Sequence, residues 1–209
     1  MKDLIVIGSG GHARTVIDVA KLNSLLNIIG VLDIHFKENK EEKILGVPVL
    51  GGLEYLEKIS PDRAVVFLAI GDNKIRKIIS TVIDEYGFKS VNIAHPKAYI
   101  SEYAVLGDGN FIGAFANIGP NSRIESYCIV NTLANIEHEV SIADFCQLGP
   151  GSIICGRSNI DENVFIGAGS KIIDNISISA DVIIGAGAVV TMNIAESNAK
   201  YVGVPARKI

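Results

Sequence analysis

Two clusters of residues in this sequence have types and spacing that can do chemistry. In the second half of the chain His138 is followed directly by Glu139, an imidazole beside a carboxylate that can hold it and raise its basicity, which is the pairing a general base needs. A plain surface histidine is the competing reading. Near the N-terminus, Gly8-Ser9-Gly10-Gly11-His12-Ala13 follows a short apolar run and opens a helical pattern, so backbone N–H groups and the positive end of a helix dipole face one point, where an anion would be held. With Asp33 at the end of a second apolar run, the turn imitates a dinucleotide fingerprint. A tight turn that needs glycine for steric reasons alone explains it equally well. Gly71-Asp72-Asn73 closes a third apolar run, again at the strand end where open α/β sheets bind ligands.

Other chemistries lack their partners. Cys128, Cys146 and Cys155 form an odd set with no CxxC spacing, which argues against a disulfide framework or a zinc site. No base is positioned beside Cys128 or Cys146 for a covalent acyl-enzyme. His12, His35 and His95 all precede residue 98, so the second half holds one histidine and cannot supply a three-histidine zinc centre; no metal is expected.

The elements that must position these groups follow from periodicity. Read in sixes from Ala98, the third residue of sixteen consecutive hexads, from Ile100 to Val190, is Ile, Leu or Val, and the first is mostly small. A six-residue period means a short strand and a corner, repeated: a parallel β-helix. Proteins that carry such a repeat close three hexads into one left-handed coil, and a likeness to them implies that residues eighteen apart stack about 4.8 Å apart. Gly149-Pro150-Gly151, Gly167-Ala168-Gly169 and Gly185-Ala186-Gly187 then share one corner in three successive coils. Either tight corners prefer glycine, or the column is a bare wall along which an extended arm such as pantetheine meets backbone groups. His138 falls at an outward fifth position, with Pro120 one coil below and Gly156 one coil above, which leaves room beside the ring.

Residues 1–95 alternate strands and helices, the pattern of a parallel α/β sheet. Strands are expected at Leu4–Ile7, Ile28–Leu32, Ala64–Ile70 and Lys89–Ile93. Helices are expected from the glycine turn to about Leu25, and from an Asp72 or Asn73 cap to about Tyr86, with a charged loop over residues 35–43. About 95 residues is nearer a mononucleotide-binding half than a full dinucleotide fold, which favours a nucleoside diphosphate over NAD. The organisation expected is an α/β nucleotide-binding domain over 1–95, a left-handed β-helix over 96–193 and a tail over 194–209, with the boundary at His95-Pro96. A formal charge of −4 provides no general basic surface for nucleic acid. No apolar run reaches the roughly 18 residues of a membrane span, and the N-terminus has no secretory pattern, so a cytoplasmic location is expected.

The two halves together resemble the bacterial sugar acyltransferases that include bacillosamine-pathway N-acetyltransferases, GDP-perosamine N-acetyltransferases and sialic acid O-acetyltransferases. The residues that carry the resemblance are Gly8-Ser9-Gly10-Gly11-His12, Leu32-Asp33, residues Ala69 to Arg76, Asn131-Thr132, residues Ile136 to Glu139 and the tail Val202-Gly203-Val204-Pro205-Ala206. The resemblance implies a homotrimer with active sites between subunits, acetyl-CoA as co-substrate, and His138 as general base made more basic by Glu139. It implies acetyl-CoA contacts at Gly156, Ala168 and Ala186. It makes the first domain a nucleotide-sugar-binding domain, and places a nucleotide-linked amino sugar against Gly10, Gly11, His12, Asp33 and Gly71, or, in the sialic acid branch, a hydroxyl acceptor. Two departures stand out. Gln147 occupies the place of a histidine that contacts acetyl-CoA in the bacillosamine enzymes, and Asp33 is followed by Ile34 where those enzymes carry a second acid. A non-catalytic scaffold and an NAD-binding regulator are the readings from other classes.

Overall fold

The computed structural model describes residues 2–36 and 42–209. The chain forms two compact units, Met1–Ile93 and Ala94–Ile209. Among the described residues no helix is long and apolar enough to cross a membrane.

The first unit is an α/β layer structure. Strands β1 (Lys2–Ile7), β2 (Leu26–Leu32), β3 (Lys43–Ile44), β4 (Val47–Gly51) and β5 (Ala64–Leu68) form one sheet in the order β3-β4-β2-β1-β5. The pairs β1–β2, β1–β5 and β2–β4 are parallel, and only the short β3 runs antiparallel. Leu4–Ile7 and all of β5 are buried, as expected for a strand covered on both faces. Helix α1 (Gly11–Ala20) packs through Ala13, Val16, Ile17 and Ala20. It stops five residues short of the expected Leu25. The Leu22 and Asn23 amides turn back to the Val19 and Ala20 carbonyls, and the Asn23 side chain accepts from the Leu25 amide, an Asx turn that leaves Leu22 and Leu25 exposed. Helix α2 (Asn73–Glu85) starts where Asp72 accepts from the Ile75 amide at 2.9 Å. It ends in a Schellman motif: Gly87 takes φ +75°, and the Gly87 and Phe88 amides bond to the Asp84 and Ile83 carbonyls.

Two expectations need correction. The stretch 89–93 is not a fourth strand; Ser90 makes only an isolated bridge to Val66, and strand structure resumes at Ile93–Ala94. The sheet instead gains β4, which Pro48 disguises. That proline pairs with Lys43 in a two-residue arm of the sheet, where a missing donor costs little. The charged loop expected over 35–43 falls largely on residues 37–41, outside the described residues, and Lys43 belongs to β3.

The second unit is the left-handed parallel β-helix expected from the hexads. From Tyr99–Ile100 to Val189–Val190, every two-residue strand falls on the second and third positions of its hexad. The strands stack in three parallel sheets with a register of eighteen, such as Ile136 on Ile154 and Gln147 on Phe165. Third positions from Ile112 to Val190 are buried, and first positions such as Ala134, Cys146 and Val164 fill the space beside them. Each apolar side chain removed from water contributes about 1.5–3 kcal/mol, and that gain pays for an awkward corner. Sixth positions take left-handed backbone even where they are Phe115, Leu133, Glu139 or Arg157, with φ near +60°. Leu133, Glu139 and Arg157 are each tied to the coil below by a backbone bond, as from the Glu139 amide to the Pro120 carbonyl. The tail continues one of the sheets: Lys200–Val202 pairs in parallel with Ile183–Ile184, and Arg207–Lys208 returns antiparallel to it.

Candidate active site

The corner that carries His138 is built from three coils. Strand Asn135–Ile136 leads into it and Ser141–Ile142 leads out, so the imidazole projects from an edge of the prism with its side chain 48% exposed. Nδ1 lies 3.0 Å from Glu139 Oε2. With the proton on Nδ1 donated to that carboxylate, Nε2 keeps its lone pair for a proton from outside. The left-handed backbone at Glu139 belongs to the repeating corner, so it is a property of the fold and not strain peculiar to this residue.

The coil above leaves the ring its space. A Cβ on Gly156 would stand 2.5 Å from His138 Cε1 and 2.7 Å from Nε2, so any side chain there would displace the imidazole. The coil below braces the corner. Buried Ser122 donates through Oγ to the Glu137 carbonyl at 2.7 Å and accepts from the Val140 amide at 3.3 Å, bracketing the turn. On the adjoining face an amide ladder runs from Asn117 to Asn135 Oδ1 at 2.6 Å, and from Asn135 to Glu137 Oε1 at 2.6 Å. Sequence reasoning missed Ser122, Asn135 and Glu137. Ser122 acts from an inward first position, where a hydroxyl reaches the corner fifteen residues later, as Ser158 also does to the Ile173 carbonyl.

The glycine column divides into two kinds. A Cβ on Gly149 would sit 2.7 Å from the Ala168 nitrogen, and one on Gly167 2.5 Å from the Ala186 nitrogen, so these fourth positions are small because the next coil passes directly over them. Gly151, Gly169 and Gly187 take φ of +65° to +68° and have open space where a side chain would go. Neighbouring sixth positions show that the corner tolerates Phe115 and Leu133, so bareness here is not demanded by backbone geometry. Ala168 and Ala186 lie on this column, whereas His138 and Gly156 lie on the next corner, with the face of Asn117, Asn135, Ile153 and Lys171 between them. Gln147 is on another sheet, stacked between Ile129 and Phe165. One chain therefore brings His138, Glu139 and Gly156 together and leaves Gln147, Ala168 and Ala186 elsewhere.

In the first unit, all five residues expected at a nucleotide sugar meet in one cavity. The ends of β1, β2 and β5 open into a space of about 330 Å³ lined by Gly10, Gly11, His12, Asp33 and Gly71, together with Ile34 and others. The glycines again differ. A Cβ on Gly8 would stand 2.7 Å from the Ala69 carbonyl oxygen and its φ is +115°, so that glycine is steric. Gly10, Gly11 and Gly71 would meet nothing within 4 Å; their smallness opens the cavity and serves no packing. His12 is held at a pKa of about 4, by burial first and by the Arg76 guanidinium second, so it is a neutral hydrogen-bonding group at ordinary pH. Buried Arg76 donates to the Ile70 carbonyl at 2.8 Å and to Asn73 Oδ1 at 2.8 Å, which fixes the strand end beside Gly71.

Comparison with known proteins agrees with both halves. Residues 3–83 match the model of the PglD N-terminal domain. The crystal structure of PerB from Caulobacter crescentus, in complex with CoA and GDP-perosamine, superposes with a TM-score of 0.93 at 32% identity, over 100% of this chain and 98% of that one. The chain belongs to the sugar acyltransferase family of hexapeptide-repeat proteins. Among curated members of the family, the GDP-perosamine N-acetyltransferase of Escherichia coli O157:H7 is 31% identical over 98 residues, 47% of this chain and 44% of that protein. The UDP-N-acetylbacillosamine N-acetyltransferase of Bacillus subtilis (strain 168) is 34% identical over 117 residues, 54% of this chain and 52% of that protein. The chain thus spans about half the length of these two curated members.

Proposed function

We propose that this protein transfers the acetyl group of acetyl-CoA to the amino group of a sugar carried on a nucleoside diphosphate. The observation that carries this reading is the His138–Glu139 pair, seated under Gly156 in a chain that follows a CoA- and GDP-perosamine-bound relative over its whole length. Transfer is direct, in a ternary complex. Nε2 of His138 takes a proton from the sugar nitrogen as that nitrogen attacks the thioester carbonyl and the C–N bond forms. Glu139 stabilises the imidazolium through Nδ1, and a backbone N–H near Gly156 steadies the oxyanion. The C–S bond then breaks, and the proton on the imidazolium passes to the departing sulfur, releasing CoA as a free thiol. The pantetheine arm lies along the open Gly151, Gly169 and Gly187 column and touches Ala168 and Ala186, with Gln147 donating a hydrogen bond where a charged imidazole is not available.

The base and the bare column occupy different corners of one chain, which supports a homotrimer in which His138 of one copy faces the column of the next. Acetyl-CoA as co-substrate puts the reaction in the cytoplasm. The nucleotide end of the acceptor rests in the cavity of Gly10, Gly11, His12, Asp33 and Gly71. That cavity favours a nucleotide-linked amine over the hydroxyl of free sialic acid. Release of free thiol from acetyl-CoA, followed over a panel of UDP- and GDP-linked 4-amino sugars and sialic acids, tests the reading. Turnover is expected with a nucleotide-linked amine; release only with sialic acid, or with no acceptor, would sink it.

A further inference from the structure

The cavity of the first unit is unevenly charged, and a cationic side chain, Arg14, is bonded to the glycine turn that lines it. Asp33 brings a negative charge to the β2 side, where its Oδ1 accepts from the His35 amide. His12 is uncharged at ordinary pH and cannot balance a phosphate. Beside β2, at the end of β1, is the turn from Gly8 to Gly11. There the first turn of α1 has no acidic residue, and its cap, Gly10, makes no side-chain bond, whereas Asp72 occupies the same place on α2. Over this turn sits Arg14. Side chains on a helix lean toward its N-terminus, so a residue in the first turn reaches back across the loop that precedes it. Arg14 Nη1 donates to the Ser9 carbonyl at 3.1 Å and the Gly10 carbonyl at 2.9 Å, two residues that line the cavity. Among the described residues its Nε and Nη2 have no hydrogen-bond partner and no carboxylate pairs with it. An exposed cation at a helix N-terminus is disfavoured by the dipole, so its placement is no gain to the helix itself.

We propose that Arg14 is the residue that recognises the diphosphate of the acceptor, a specificity contact that rests on the nucleotide-sugar reading above. Two bonds to the turn hold the guanidinium in place, and its remaining N–H groups meet phosphate oxygens that the glycine amides approach from the other side. Asp33, at the neighbouring strand end, is left to accept from the hydroxyl or amine groups of the nucleoside. The ligand therefore lies with its phosphates toward Arg14 and its nucleoside toward Asp33.

Calorimetric titration of the full-length protein with UDP, GDP, uridine and guanosine decides this. Arg14→Gln should weaken the nucleoside diphosphate that binds by about tenfold and leave the matching nucleoside and CoA unchanged. Arg14→Lys should recover only part of the loss, because it keeps the charge but not the guanidinium fork that the turn holds. The tightness of the diphosphate, and not of the nucleoside, should fall with added salt in the wild type and much less in Arg14→Gln. Equal diphosphate affinity in wild type and Arg14→Gln would overturn the proposal while leaving the nucleotide site standing. A wild type that binds none of the four compounds would overturn the nucleotide reading and this proposal together.

Discussion

The two units place their ligand-facing groups by opposite means. In the β-helix one rule, a step of eighteen residues, sets every vertical neighbour, so Gly156 over His138 and Ala186 over Ala168 follow from arithmetic and survive any local detail. In the α/β unit each group is placed by its own local device: a glycine at φ +115°, an Asx turn, a capping aspartate, a buried arginine. A site on the repeat is thus sensitive to bulk added between coils. A site on the loops is sensitive to the charge and hydrogen bonding of single residues.

Substitutions can sharpen or break that contrast. The largest effect is expected from His138→Ala, which should lower kcat by at least about 10²-fold with acetyl-CoA affinity nearly unchanged, as thiol release and calorimetry would show. Next comes a pair of glycines. Gly156→Ala pushes its methyl into a half-exposed ring, so turnover should fall about tenfold while the melting temperature barely moves. Gly167→Ala pushes an identical methyl against the Ala186 backbone, so about 2 kcal/mol of stability should be lost, measured by denaturant unfolding. If both variants lose stability alike, the separation between ring space and coil spacing is wrong. In the first unit, Asp33→Asn should raise KM for the nucleotide sugar several-fold at unchanged kcat, since in the proposed function Asp33 meets the nucleotide and takes no part in the proton transfer.

The last effect is a pH dependence. His12 titrates at about 4 in the folded chain and near 6.5 unfolded, so between these values the unfolded chain holds the extra proton. Stability from this group is complete above pH 6.5 and is lost as the pH falls toward 4, on the order of 3 kcal/mol at most. Unfolding of wild type and His12→Asn at pH 7 and pH 5 should show that the variant loses less on acidification.

The same contrast explains what could be read from residues alone. Ile, Leu or Val at every third position made the β-helix and its coil spacing legible, down to the gap beside His138. The ends of α1 and the identity of the outer strands were not, because Asn23 and Pro48 act through bonds to specific neighbours and carry no period. The ligand set of the cavity was legible as three glycine- or acid-bearing strand ends, but the neutral state of His12 was not, since it depends first on burial and then on Arg76, sixty-four residues away in sequence. Ser122 bracing the His138 corner was hidden for another reason: small residues fill nearly every first position, and only geometry shows which hydroxyl spans a turn that matters.

The most direct test is the crystal structure of the protein with CoA and a nucleotide-linked 4-amino sugar bound. The sugar nitrogen should lie within about 3.2 Å of His138 Nε2, with the thiol end of CoA beside it and the pantetheine arm running past Ala168 and Ala186 of a neighbouring copy. A sugar amine held well away from every His138 in the assembly, with CoA on some other face of the prism, would contradict the account.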